Sequence, residues 1–188
     1  MKRQSFLNFL AIGASLATLP FRALARRINK GIKVAAGQDR FDKPITLLEG
    51  DIFTTKVSTK DTDGDLYIYE SIRLKKGGVP LHYHYEQDEW WYVLEGEFLI
   101  KVGDETYTAK VGDFVFCPRM VPHAFAKTNE GSSRLLMGFQ PAGKMEAHFK
   151  ALSEGIYSKL NEEEKKTFRH NNGFEVVGPA LGYDKTKN

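Results

Sequence analysis

The chain has 188 residues, a formal charge of +3 and one cysteine, with 41% hydrophobic residues. That length suits one domain with a substantial apolar core, and a lone cysteine excludes an intrachain disulfide. Residues 1–25 carry Lys2, Arg3 and Arg22 but no acid, so without them basic and acidic residues balance. No basic patch suggests nucleic acid, because Lys165-Lys166 is offset by Glu162-Glu163-Glu164, and a small uncharged or weakly anionic ligand is the expected partner.

At the start, Met1-Lys2-Arg3, an apolar stretch from Phe6 to Phe21 and Ala23-Leu24-Ala25 form the three parts of a secretory signal. Cleavage is expected near Ala25, giving a periplasmic or extracellular protein. The stretch is short for a membrane span and is broken by Asn8 and Pro20, so removal is expected rather than anchoring. Residues 26–43 read as a loosely held arm before Pro44.

Strands are expected over 45–56 and 66–74, reversing at Thr62-Asp63-Gly64-Asp65. Residues 97–102 and 105–110 alternate apolar and polar around Gly103-Asp104 as a hairpin, and 124–128 with 133–139 repeat that pattern around Glu130-Gly131. Short strands punctuated by glycine turns indicate an all-β closed sandwich or barrel. Beyond Pro141-Ala142-Gly143 the period changes. Met145, Phe149, Leu152, Ile156 and Leu160 form one helical stripe. A second helix is signalled by Asn161 with Glu164 three residues on and by Gly173 as its stop, so residues 142–188 read as a two-helix extension.

The chemical signal lies between these ends. His82 and His84 are two residues apart on a strand and point to one side, so both imidazoles can reach one ion. Glu89 precedes the apolar run Trp90-Trp91-Tyr92-Val93-Leu94, and His123 follows the strand Asp113–Cys117 and Pro118, as third and fourth ligands. Three imidazoles and a carboxylate leave a divalent transition ion with open positions, a catalytic arrangement that iron, nickel, manganese, copper and zinc all tolerate. Glu89 also suits the role of catalytic base. Cys117 reads as a small buried hydrophobe on the strand face opposite Phe114 and Phe116, and His148 and His170 as surface or interhelix residues.

The segment from Gly78 through His82, His84 and Glu89 to Gly96 resembles the first cupin motif, and Gly112, Pro118 and His123 resemble the second. Met120 stands where that motif has glycine, and Lys127 where it has asparagine. The resemblance implies a cupin jelly-roll barrel over 44–141 and, as cupin barrels commonly pair, a homodimer, with the arm and tail as candidate contacts. The ending Gly173-Phe174-Glu175-Val176-Val177-Gly178-Pro179 resembles the tails of quercetin-dioxygenase-like single-domain cupins. It implies a dioxygenase acting on a small enolic or phenolic compound. A cupin isomerase or lyase acting on a sugar acid, and a non-catalytic metal- or ligand-binding cupin, stay open beside it. Arg3-Gln4-Ser5-Phe6-Leu7 resembles a twin-arginine export signal with Gln4 in place of the second arginine.

Overall fold

A computed structural model describes residues 27–47 and 50–182. The export signal over 1–25 lies outside the described residues. In chain order the strands are β1 (Ile45–Thr46), β2 (Ile52–Val57), β3 (Tyr67–Arg73), β4 (Gly77–Gly78), β5 (Pro80–His84), β6 (Asp88–Glu95), β7 (Glu97–Val102), β8 (Glu105–Lys110), β9 (Phe114–Cys117), β10 (His123–Lys127) and β11 (Ser133–Gln140). Helices α1 (Met145–Ser153) and α2 (Glu162–Asn171) follow, and a last strand, β12 (Phe174–Ala180), closes the described chain.

Two antiparallel sheets face each other. One runs β1-β2-β3-β11-β6-β9, the other β12-β5-β10-β7-β8 with β4 also on β10, as expected of an all-β jelly roll with a helical extension. Inward side chains such as Tyr69, Trp91, Phe98, Leu135 and Phe139 fill the space between the sheets and are buried. Cys117 is fully buried while Phe114 and Phe116, of opposite parity on β9, are exposed.

Several local expectations meet their structure directly. The β7–β8 hairpin turns at Gly103, which adopts φ +57, and α2 begins with a reciprocal capping box between Asn161 and Glu164. Others are corrected. The strand expected over 45–56 is interrupted, because the chain bends at Gly50 (φ +87) between β1 and β2. The arm is tied down at its end: buried Asp39 accepts hydrogen bonds from the backbone N–H groups of Phe41 and Thr55 at 2.8 and 2.6 Å. β10 and β11 do not form a hairpin, since β10 pairs with β4, β5 and β7 and β11 with β3 and β6. The link around Gly131 crosses from one sheet to the other.

Helix α1 ends at Ser153, before Gly155 at φ +69, so Ile156 and Leu160 fall outside it. What remains of the stripe packs on the barrel: the Phe149 ring lies 5.1 Å from Phe53 and 5.2 Å from Tyr69. Glu146 fixes the helix in place by accepting from the Ser58 hydroxyl and the Thr59 N–H, both at 2.8 Å. The extension does not end in helices. After Gly173 (φ +92) the chain re-enters the barrel sheet as β12, with Phe174 paired to His84 and Val176 to His82.

Candidate metal centre

β5 and β10 are neighbours in one sheet, with His82 directly opposite His123, and His84 follows on the same face of β5. Glu89 comes from β6 in the facing sheet, where its register partners are Phe139 and Cys117. Ligand-type atoms of His82, His84, Glu89 and His123 all lie within 4.8 Å of one another. All but His82 are fully or almost fully buried. The sheets thus bring together the four residues that the sequence pattern singles out.

Hydrogen bonds behind the cluster set its chemistry. The Nδ1 of His82 lies 2.8 Å from the Pro80 carbonyl and that of His123 2.9 Å from the Val121 carbonyl. A carbonyl only accepts, so both rings carry a proton on Nδ1 and, when neutral, turn an Nε2 lone pair inward. There they meet another acceptor, the Oε2 of Glu89, at 3.0 Å from His123, 3.2 Å from His84 and 3.9 Å from His82. The His84 nitrogen is close to that carboxylate but lacks hydrogen-bond geometry, and both its ring nitrogens are buried without a partner. The other oxygen of Glu89, Oε1, accepts from the Trp91 indole at 2.8 Å. Lone pairs facing a carboxylate require a cation between them.

At His82 a proton fills that place poorly at neutral pH. Burial, reinforced by His123 and His84, pushes the pKa of His82 down to about 3. Burial alone would raise the Glu89 carboxyl, but the imidazoles of His123 and His84 beside it hold it well below the usual range. Nitrogen and oxygen donors without thiolate suit a divalent transition ion. Cys117 is near enough for the Glu89 charge to add to the burial that raises its thiol pKa, so it stays a protonated neighbour.

Turn geometry near His123 holds despite the missing glycine. Met120 itself takes φ +64, and its N–H donates to the His84 carbonyl at 2.8 Å, tying the turn before β10 to the ligand strand. Lys127 plays no part in the cluster, because its ammonium donates to the Asn129 carbonyl. Gly78 permits the close approach of β4 to β10: a Cβ there would sit 1.6 Å from the Phe125 carbonyl oxygen.

Residues 70–139 match the family model of the cupin domain. That segment of the chain is a cupin domain. A stretch of 43 residues is 40% identical to an uncharacterized protein, MJ1618, of Methanocaldococcus jannaschii, covering 23% of this cupin and 34% of that relative. The cupin thus matches about a third of the relative's length. Similar solved structures include TT1209 from Thermus thermophilus, at 26% identity and TM-score 0.40 over 42% of this chain and 74% of that one. Another is an RmlC-like cupin from Shewanella frigidimarina, at 20% identity and TM-score 0.48 over 60% and 92% of the two chains.

The cluster opens into a cavity of about 250 Å³ between the sheets and the helices. Phe53, Tyr69, Met137, Phe139, Phe149 and Phe174 supply much of its wall. Of the aromatic residues near the motifs, Phe125 reaches this cavity, whereas Tyr92, Phe114 and Phe116 are exposed. His148 is interhelix, as one of its two expected placements had it, with its ring 5.4 Å from that of Phe168 on α2, but its position facing the cavity was not expected. It is 5% exposed, lines the cavity and packs against Phe174 with ring centroids 4.9 Å apart. Its position on the Met145–Phe149 face of α1 was the available signal, but which end of the barrel that face covers is set by tertiary packing.

Proposed function

We propose that this cupin holds one divalent transition-metal ion through His82, His84, Glu89 and His123 and acts as a dioxygenase-like oxidoreductase on a small enolic or phenolic compound. The observation that carries the reading is the convergence of three imidazoles and a carboxylate, with the His82 and His123 rings held by carbonyls at Nδ1, at one side of an apolar cavity. When bound, such an ion supplies Lewis acidity toward a chelating oxygen and, if redox-active, electrons for chemistry with dioxygen.

The protein's own residues do the rest. The Pro80 and Val121 carbonyls lock the His82 and His123 tautomers, and Trp91 fixes Glu89 through Oε1. Oε2 is thereby free to act as ligand or to accept the proton of an incoming enol or phenol, and Glu89 serves as the catalytic base. Aromatic walls favour a flat ring over a polyhydroxylated sugar acid.

Oxygen consumption by the protein, loaded in turn with iron, nickel, manganese, copper and zinc, checks the reading with flavonols and simple diketones as substrates. The expected result is turnover with at least one metal that Glu89→Gln abolishes. Turnover that persists without oxygen would oppose it and favour an isomerase or lyase.

We further propose a homodimer and an exported location. Tyr92, Phe114 and Phe116 are exposed side by side, Tyr92 pairing with Phe114 across β6 and the edge strand β9, and a second copy would cover them. Sizing is expected to show a dimer that Phe114→Lys converts to monomer. N-terminal sequencing of the exported protein is expected to begin at Arg26. Among the described residues no helix is long and apolar enough to cross a membrane.

A further inference from the structure

The cavity has a second polar end. His148 on α1, Tyr157 in the turn after it and Arg169 on α2 line the same space as His82, His84 and Glu89. The Nδ1 of His148 and the Nε of Arg169 are both buried without a hydrogen-bond partner. Such groups are rarely left so unless something else satisfies them.

Two arginines line the cavity, and the contrast between them is informative. Arg73 is paired with Asp51 at 3.0 Å and lies over the Phe125 ring. Arg169 donates from Nη1 to the Tyr157 hydroxyl at 2.6 Å but forms no salt bridge among the described residues. Glu162, an acid on the same helix whose carboxyl feels the Arg169 charge, is engaged with Lys165 at 2.7 Å. A guanidinium that lines a cavity, held by a hydroxyl but with its Nε buried unpartnered and no ion pair among the described residues, lacks its anion.

We propose that His148, Tyr157 and Arg169 form an anion-recognition subsite, and that the ligand is a flat apolar molecule carrying a carboxylate at the end remote from the metal cluster. The Phe174 ring stands between the two ends, 4.9 Å from the His148 ring and 5.7 Å from that of His84, so a ring lying along it has polar partners on both sides. Which end of the ligand reacts rests on the metal reading above. Recognition of the carboxylate does not.

Titration calorimetry at pH 8 with 2-naphthoate and its neutral analogue 2-naphthamide separates the two ideas. It is run on protein stripped by a chelator, where no ion competes for the carboxylate, and on the metal-loaded protein. The stripped protein is expected to bind naphthoate about 10- to 100-fold more tightly than the amide, as for one or two charge-assisted hydrogen bonds. Arg169→Gln should bring that ratio near one, Arg169→Lys should keep part of it, and His148→Leu should weaken naphthoate more than the amide. Should Arg169→Gln fail to fold, as judged by its melting transition, Tyr157→Phe is expected to lower the ratio. A ratio near one in the native protein, no binding of either probe, or a ratio indifferent to Arg169→Gln and Tyr157→Phe would overturn the subsite. A native protein that takes up no metal yet keeps the ratio would contradict the metal reading and leave the subsite standing.

Discussion

The two ends of the cavity are built in different ways. At the barrel end, two of the three imidazoles are braced from behind by carbonyls, and an indole braces the carboxylate, so four side chains from three strands are aimed at one point. At the helical end, His148 sits on α1, held to the barrel by the contacts of Glu146 and Phe149, and Arg169 on α2, and one nitrogen of each is buried without a partner. Side chains locked by hydrogen bonds from behind hold a fixed geometry, whereas buried groups without partners are left to take one from a ligand. The barrel end is thus suited to chemistry that needs fixed geometry, and the helical end to selecting what enters.

The largest expected effect that distinguishes them is a pH dependence. Burial, with nearby His84 adding to it, lowers the pKa of His148 to about 4, against 6.5 for a free imidazole. Between those values the unfolded chain binds more protons than the folded one. The stability His148 contributes is complete above pH 6.5 and is lost as pH falls toward 4, by roughly 3 kcal/mol at about 1.4 kcal/mol per pKa unit. Urea unfolding of metal-free protein at pH 7, 5.5 and 4 is expected to show that decline added to the one His82 contributes, and His148→Gln to make it shallower. An equally steep decline in the variant would show that the helical end does not carry it.

A smaller effect probes the bracing at the barrel end. Trp91→Phe keeps the ring but removes the hydrogen bond to Glu89 Oε1, and is expected to weaken metal affinity by about 10- to 100-fold. Competition against a chelator of known affinity measures it, and an unchanged affinity would mean that the brace contributes nothing. The same substitution is expected to leave the preference for naphthoate over naphthamide intact.

Smallest is the turn that leads into His123. Met120 is exposed and held at φ +64, a conformation that disfavours a side chain by about 1 kcal/mol. Met120→Gly is expected to raise stability by up to that amount without changing metal affinity, as read by thermal melts and chelator competition. A loss of stability would show that the Met120 side chain contributes contacts that outweigh its strain.

The barrel end was legible in the sequence because its signals are local. His82 and His84 share a face by strand alternation alone, and Gly96, Gly112 and Pro118 mark the limits of the strands that bring Glu89 and His123 to them. The capping box at Asn161 is local too, and its helix lies where the pattern predicts. The helical end depends on contacts far apart in sequence. That His148 would face Phe174 follows from β12 pairing with β5, and the β-branched pair Val176-Val177 after Gly173 was the available hint of that strand. Likewise a glycine turn such as Gly131 marks a reversal without saying whether the next strand joins the same sheet. The helix begun at Met145 stops where Gly155 turns left-handed, although the apolar period continues through Ile156 and Leu160.

Elemental mass spectrometry of the purified protein, beside Glu89→Ala and His123→Ala, tests the central claim most directly. About one transition-metal ion per chain in the native protein, falling to near zero in both variants while their melting transitions stay cooperative, is the predicted result. A native protein that holds no metal after incubation with each candidate ion, or variants that keep the full complement, would contradict it.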